Sequence, residues 1–400
     1  MNKRLASVIA RATLAAGLLA MLISGCKQKE SADTDYDALA QKLVAQCTNV
    51  QEGDLVLITG GVRDVELLEN LAVQVRKLGA FPLVSLGSER IDRCYYDEVP
   101  AKYDSQIPEF DLALANLVTA VISVYYLETI GLLADVPAER IATVSKAGTP
   151  VSVRMIERSV RQVNLGNGLY PTAALASQFG VTQDELSSIF WDGVNTDYSQ
   201  LQAQGEAVKA ALVSGSEVHL TNPNGTDLRL RIDGRPVFVS DGVISDEETE
   251  RGGAACLVWL PAGEAYTTPV PGTAEGTVVV DHLFYQGQDI RDLTLTFEAG
   301  KLVSMTAESG LERLQAVYDA AGPGKDLFAV VDVGLNPNVH IPSGSQMVGW
   351  MPAGMVTIGL GNNNWAGGGN SANFALEAHL PGSTLKVDGK IVVENGSLKL

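Results

Sequence analysis

The hydrophobic period of the chain changes near residue 216, and that change constrains the fold more than any single motif. From Tyr36 to Val213, helical spacing alternates with short apolar runs. In Tyr36 to Thr48, Leu39, Leu43, Val44 and Cys47 fall on one helical face. Gly53-Asp54 marks a turn, Leu55 to Ile58 a strand, and Asp64 to Leu78 a helix that Gly79 closes. Phe81 to Leu86 is the next strand, which makes a parallel βαβ unit, since parallel neighbours need a crossover. Asp111 to Ala115 and Val118 to Tyr125 read as further buried strands, and Arg154 to Val163 as a helix. Thr182 with Glu185 forms a capping-box pattern, and Asp197 to Leu212 is the last helix of this half.

From Glu217 the period becomes two. Glu217 to Thr221, Asp227 to Ile232, Gly276 to Leu283 and Leu293 to Glu298 alternate as strands between turn sequences, with one helix over Leu311 to Ala321 and Gly-rich loops over Asn362 to Asn370. The expected architecture is an α/β N-terminal lobe, residues 36–215, and a β-rich α+β C-terminal lobe, residues 216–400, bearing the site. Two such lobes commonly hold a ligand between them. Gly60-Gly61 matches neither GxGxxG nor GxxxxGK[ST], so it is read as a tight βα turn rather than a phosphate cradle.

Residues 1–26 read as a lipoprotein signal peptide. Lys3, Arg4 and Arg11 precede an apolar run, Leu14 to Ile23, that is too short for a spanning helix. The run ends in Ser24-Gly25-Cys26, which resembles the bacterial lipobox and makes Cys26 the expected lipidation site. Residues 27–35 read as a polar tether. Lys27 after the cysteine points to the outer membrane of the cell envelope, on its periplasmic face. The formal net charge of −18 grows more negative once the three leader cations are removed, which argues against nucleic acid. Cys47, Cys94 and Cys256 have no CxxC spacing; they read as core cysteines, with one disulfide open to them in an oxidising compartment.

No HExxH, HxH or GxSxG pattern occurs, so neither a helix-borne zinc site nor a serine elbow is visible. His219 and His282 lie in strands and read as structural. The candidate metal-ligating residues are Glu264, alone in a Gly/Pro/Thr segment, Asp332, at the end of an apolar strand, and Glu377, with His340 and His379 in loop or element-end sequence. No catalytic residue is assigned.

These residues sit in segments that resemble the aminopeptidase T family, the M29 metallopeptidases. Leu220-Thr221-Asn222-Pro223-Asn224-Gly225-Thr226-Asp227-Leu228 resembles the family's T-x-P-x-G-T-D-L stretch. Pro261-Ala262-Gly263-Glu264 through Pro269, with Glu275-Gly276-Thr277, is similar to its P-x-G-E-V-F-T-x-P and E-G-T segments. Phe297 to Val303 resembles F-x-x-G-K-V-V, and Asp332-Val333-Gly334-Leu335-Asn336-Pro337 resembles E-L-G-x-G-x-N-P. The order is kept by Gly359-Leu360-Gly361, Gly368-Gly369-Asn370-Ser371 and Val387-Asp388-Gly389-Lys390.

The resemblance implies an exopeptidase releasing N-terminal residues with two divalent metal ions, and a homodimer. Glu264 stands at a ligand glutamate, and Asp332 at another, one methylene shorter. The pattern also departs: Thr357 stands where G-T-x-H-x-A-x-G has its histidine, and the later H-x-D pair has no clear copy, Glu377 keeping an acid in one register. A working enzyme requires Glu264, Asp332 and one of Glu377, His340 or His379 to converge on an ion at roughly 2 to 2.6 Å. Otherwise the chain is a metal-free relative that binds a peptide or small molecule in the same cleft. Ring-cleaving dihydroxypyridine dioxygenases resemble the same fold and also use histidine ligands.

Overall fold

Strong helix formers and β-branched runs alternate through the first half, and they sort into layers accordingly. The computed structural model describes residues 35–400. The signal peptide, Cys26 and the tether as far as residue 34 lie outside the described residues. α1 (Tyr36–Gln41) continues through a wider turn over Lys42–Cys47 and buries Leu39, Leu43, Val44 and Cys47. β1 (Leu55–Gly61), α2 (Val65–Lys77) and β2 (Phe81–Gly87) form the expected parallel unit. The glycines at the end of β1 are there for packing. A Cβ on Gly61 would lie 2.7 Å from the Cβ of Tyr126, and one on Gly60 would lie 2.8 Å from Leu68 Cδ2.

α3 (Glu89–Asp97) and α4 (Glu109–Leu117) follow, so Asp111 to Ala115 is helical rather than a strand. Its Leu and Ala residues favour helix, and with only Ala115 buried there is no sheet face to fill. β3 (Ala120–Val124) lies where expected. The helix expected at Arg154 begins much earlier: α5 spans Ala138–Glu157 with Pro150 inside, and Arg161 to Val163 belongs to β4 (Arg161–Leu165). Packing of α5 against α4 offsets the hydrogen bond that proline removes. α6 (Ala173–Phe179), α7 (Gln183–Val194) and α8 (Tyr198–Ser214) complete this half. Thr182 Oγ1 accepts the Glu185 N–H at 3.2 Å, one half of the capping box its sequence foretells; the return bond to the Glu185 side chain is absent among the described residues.

The second half runs through β5 (Glu217–Asn222), β6 (Thr226–Arg231), β7 (Val237–Ser240), α9 (Asp246–Arg251), β8 (Leu257–Leu260), β9 (Glu264–Thr267), β10 (Glu275–Tyr285), β11 (Gln288–Glu298) and β12 (Lys301–Thr306). It ends with α10 (Glu312–Ala320), β13 (Phe328–Gly334), β14 (Val356–Gly361), β15 (Ala375–His379), β16 (Thr384–Val387), β17 (Lys390–Glu394) and β18 (Ser397–Leu398).

The described strands form three sheets. A parallel sheet has the order β2-β1-β3-β4-β8; an eight-stranded antiparallel sheet runs β12-β11-β10-β6-β5-β16-β17-β18; a five-stranded antiparallel sheet runs β15-β14-β13-β9-β7. The fold is thus mixed α/β. β8 comes from beyond residue 216 yet closes the parallel sheet beside β4, and Tyr36–Leu400 forms one compact unit. Cys47, Cys94 and Cys256 are free thiols, the first and last buried. Among the described residues no helix is long and apolar enough to cross a membrane.

Candidate functional site

The chain leaves the C-terminal edge of the parallel sheet at Leu260 and enters β9 at Glu264, so one short turn delivers a carboxyl group to the place where open α/β sheets hold ligands. That turn is built tightly. Gly263 has a φ of 126°, and a Cβ there would lie 2.7 Å from the Asn336 nitrogen. The Asn336 side chain is buried, donates to the carbonyls of Ala262 (2.6 Å) and Gly193 (3.1 Å), and accepts from Thr196 Oγ1 (2.9 Å). The Gly-Glu and Asn-Pro segments recognised in the sequence are therefore two sides of one contact.

Strand register sets the site face. Asp332 on β13 lies opposite Tyr266 on β9 and Thr357 on β14, and Thr357 lies opposite His379 on β15. Glu264 is two residues from Tyr266, and Glu377 two from His379, so all six side chains share one face. The intervening Val331, Val333, Ile358, Leu376 and Ala378 enter the main core on the other face.

Glu264 is almost fully buried and accepts a hydrogen bond from Asn167 Nδ2 at 2.6 Å. Asn167 follows β4 in a left-handed conformation, φ 41°, and also donates to the Pro261 carbonyl at 3.0 Å. Asp332 is fully buried, and neither of its carboxyl oxygens has a hydrogen-bond partner among the described residues. Burial first, and the neighbouring Glu264 second, hold the Asp332 carboxyl well above the usual carboxylate range. Burial raises Glu264 too, against the opposing hydrogen bond from Asn167. Two adjacent carboxyls oppose each other's ionisation, in the same upward direction as burial.

The row continues through Thr357, whose Oγ1 lies 2.9 Å from His379 Nδ1. The imidazole stands edge-on to Trp350 at 5.5 Å, and burial pushes it down to about 4. His379 is neutral at neutral pH, and one of its two nitrogens is committed to the threonine. Glu377 lies opposite Gly359 and is half-buried, its carboxyl raised by burial. His340 is exposed in the loop after β13 and makes no hydrogen bond or ion pair among the described residues.

The sequence candidates thus divide into three groups. Glu264 and Asp332 meet. His379 and Glu377 share their face but stand two strands from Asp332, roughly 10 Å between Cα atoms at the usual strand spacing. His340 stays outside. Among the described residues, no three His, Cys, Asp or Glu side chains are grouped to hold a metal ion. A two-ion centre does not fit this donor set: a threonine fills the histidine position, and only two carboxyls converge.

Sequence reading missed the aromatic wall of the site. Tyr266 lies 5.2 Å from Trp365 and 6.1 Å from Trp259, ring centre to ring centre, and Trp350 lies 6.0 Å from Trp365. Phe238 on β7 stacks on Tyr266 at 5.8 Å. The chain has four tryptophans, and three of them gather here. Trp365 is presented by the Asn-Gly loop. Asn363 donates to the Ala329 carbonyl (3.2 Å) and accepts from the Asn370 N–H (2.9 Å), while Asn370 donates to the Gly361 and Gly324 carbonyls (2.8 Å each). A tryptophan inside a run of asparagines and glycines was the available signal.

Comparison with known proteins agrees with this architecture. Residues 32–322 match the family model of M29 peptidases, described as thermophilic metalloproteases. The chain belongs to the M29 peptidase family, a family of metal-dependent aminopeptidases. It is similar to aminopeptidase AmpS of Bacillus subtilis, with 29% identity over 96 residues, which is 24% of this chain and 22% of that protein. In fold it is similar to AmpT of Thermus thermophilus, with a TM-score of 0.69 and 18% identity over 91% of this chain and 99% of that one. It is also similar to 2,5-dihydroxypyridine dioxygenase of Pseudomonas putida KT2440, with a TM-score of 0.58 and 15% identity over 91% and 96% of the two chains. The family match ends at residue 322, before Asp332, Thr357, Glu377 and His379.

Proposed function

We propose that this chain is an M29-family protein carried on the cell envelope by lipid on Cys26, and that it binds a peptide or small molecule in the family cleft rather than hydrolysing peptides. The observation that carries this reading is the site row itself. Only Glu264 and Asp332 converge, burial raises both carboxyls, and Thr357 engages the one nearby histidine. A buried carboxyl that stays protonated is a hydrogen-bond donor, suited to a ligand carbonyl or hydroxyl. The proposed location is the periplasmic face of the outer membrane, and a homodimer is proposed from the family resemblance.

The test is metal analysis of the purified, detergent-solubilised full chain, alongside hydrolysis of aminoacyl p-nitroanilides. The binding reading expects substoichiometric metal and no turnover, in the parent and in Glu264→Ala alike. Stoichiometric metal with turnover that Glu264→Ala abolishes overturns it. The anchor is tested separately: labelled palmitate should enter the parent chain and not Cys26→Ser.

A second reading is favoured by one observation. The unpartnered oxygens of Asp332 beside Glu264 are the donors a cation would take, so the family's divalent-metal aminopeptidase activity, releasing N-terminal residues, is the alternative function. The same experiment separates the two.

A further inference from the structure

The faces of a parallel sheet are normally apolar, because helices cover both. One face of this sheet breaks that rule. Ser123, Asn164 and Trp259 are cross-strand neighbours on β3, β4 and β8, and Gln162 lies two residues before Asn164 on the same face. The opposite face carries Ile122, Val124, Val163, Leu165, Val258 and Leu260, all in the main core. The polar row borders a cavity of about 300 Å³ beneath α5, completed by Asn362, Asn364 and Trp365 from the Asn-Gly loop. Among the described residues, no Asp, Glu, Lys, Arg or His side chain lines it.

The polar lining groups are neutral and are interleaved with Ile156, Leu257 and Val258. Ser152 Oγ donates to the Thr149 carbonyl (3.0 Å) and Asn362 Nδ2 to the Ala372 carbonyl (3.1 Å), while the other polar groups are largely uncommitted among the described residues. Asn164 Nδ2 reaches Ser123 Oγ only at 3.3 Å. The side-chain amides of Gln162 and Asn364 and the indole N–H groups of Trp259 and Trp365 make no hydrogen bond among the described residues. The two indoles meet edge-to-face, 5.4 Å apart at 82°. Trp259 and Trp365 also touch Tyr266, the cross-strand neighbour of Asp332, so the cavity and the carboxyl pair are two sides of one aromatic wall.

We infer that this cavity receives an uncharged, hydroxyl-rich ligand of one or two sugar rings, held by the amides around its rim and packed on the face of an indole. The inference rests on the binding reading of the cleft and names its ligand class. A free peptide N-terminus would bring a positive charge that no lining side chain meets, and burying an unpaired charge is strongly unfavourable. A sugar ring brings paired donors and acceptors that amide side chains satisfy, and its apolar C–H face suits an indole. The volume stands at the lower end of small-molecule sites, about 300–1,000 Å³, which limits the occupant to this size.

The experiment is titration calorimetry with intrinsic tryptophan fluorescence on the solubilised full chain. The probes are maltose, cellobiose and N,N′-diacetylchitobiose, with glucuronic acid and trialanine as charged comparisons. The expected result is saturable binding of at least one neutral disaccharide, a fluorescence change, and no saturation by glucuronic acid. Trp365→Ala should weaken that binding about tenfold or more, with Trp365→Phe between the two. Gln162→Ala, which leaves the wall in place, should weaken it to a lesser degree. Binding of trialanine without any disaccharide overturns the ligand class and leaves the binding reading standing. Saturation by none of the probes overturns the ligand class, and turnover of aminoacyl substrates overturns the binding reading on which it rests. Disaccharide binding that is equal in the parent, Trp365→Ala and Gln162→Ala places the ligand elsewhere and overturns the cavity assignment.

Discussion

Asp54 and Asp332 are both shielded carboxyl groups, and the protein treats them in opposite ways. Asp54 lies before β1, where Arg161 of β4 reaches it at 2.5 Å, the Gln51 N–H donates to it at 2.6 Å and Thr119 Oγ1 donates at 2.8 Å. Burial pushes its carboxyl up, but these partners outweigh burial and hold it below the usual carboxylate range. Asp332 has burial and the nearby Glu264, and no partner for either oxygen among the described residues. The first arrangement ties two parts of the parallel sheet together. The second leaves a buried carboxyl unsatisfied among the described residues, a departure from the usual pairing of interior polar atoms.

The comparison breaks most visibly at its cation. Arg161→Met leaves Asp54 without its charge partner and is expected to lower unfolding free energy by about 3–5 kcal/mol in urea titration. A loss below about 1 kcal/mol, the level of an exposed pair, would show that the arginine does not anchor the sheet. Asp332→Leu should act in the opposite sense, because it removes unsatisfied oxygens while keeping a γ-branched side chain. A gain of about 1–3 kcal/mol is expected, and a loss would reveal a partner for Asp332 in solution.

The two carboxyls should also give opposite pH slopes. Asp54 is depressed in the folded state, so its contribution is present above the ordinary value of about 3.9 and is lost as pH falls through the folded value. Glu264 and Asp332 are raised, so the unfolded chain releases their protons first, and stability declines as pH rises from about 4 toward their folded values. Glu264→Gln with Asp332→Asn should flatten that decline in thermal melts while leaving the acid limb due to Asp54. An unchanged slope would mean that the pair ionises normally. The smallest effect is local: NMR titration should find the His379 imidazole neutral down to pH about 4. A midpoint near the ordinary value of about 6.5 would mean that water reaches the ring freely.

Local pattern made much of this legible. The βαβ unit, the helices α7 and α8, and the strands β5, β6, β10 and β11 follow from spacing, turns and caps in contiguous sequence. Glu264 and Asp332 stood out as acids at the ends of apolar or turn segments, and they do meet. What local pattern lacks is partner identity. Leu257 to Leu260 is too short to declare whether it belongs with β4 or with its neighbours in sequence, and its parallel partner lies nearly a hundred residues away. The pairing of Thr357 with His379 likewise exists only once β14 and β15 are in register. The helix through Pro150 was hidden because the breaker is local and the packing that overrides it is not.

Pairing between distant residues also governs when the chain can become itself. β5 bonds on one side to β6, its immediate successor, and on the other to β16, with Thr221 opposite Thr384. The parallel sheet waits for Leu257 to Leu260, and the eight-stranded sheet waits for the last strands of all. Synthesis proceeds from the N-terminus, so between the arrival of β5 and that of β16 one ladder of β5 stays unfilled, an edge open to wrong partners. Assembly is therefore gated by the arrival of β16 to β18, and a product stalled before them would be a substrate for chaperones and proteases rather than a smaller working protein.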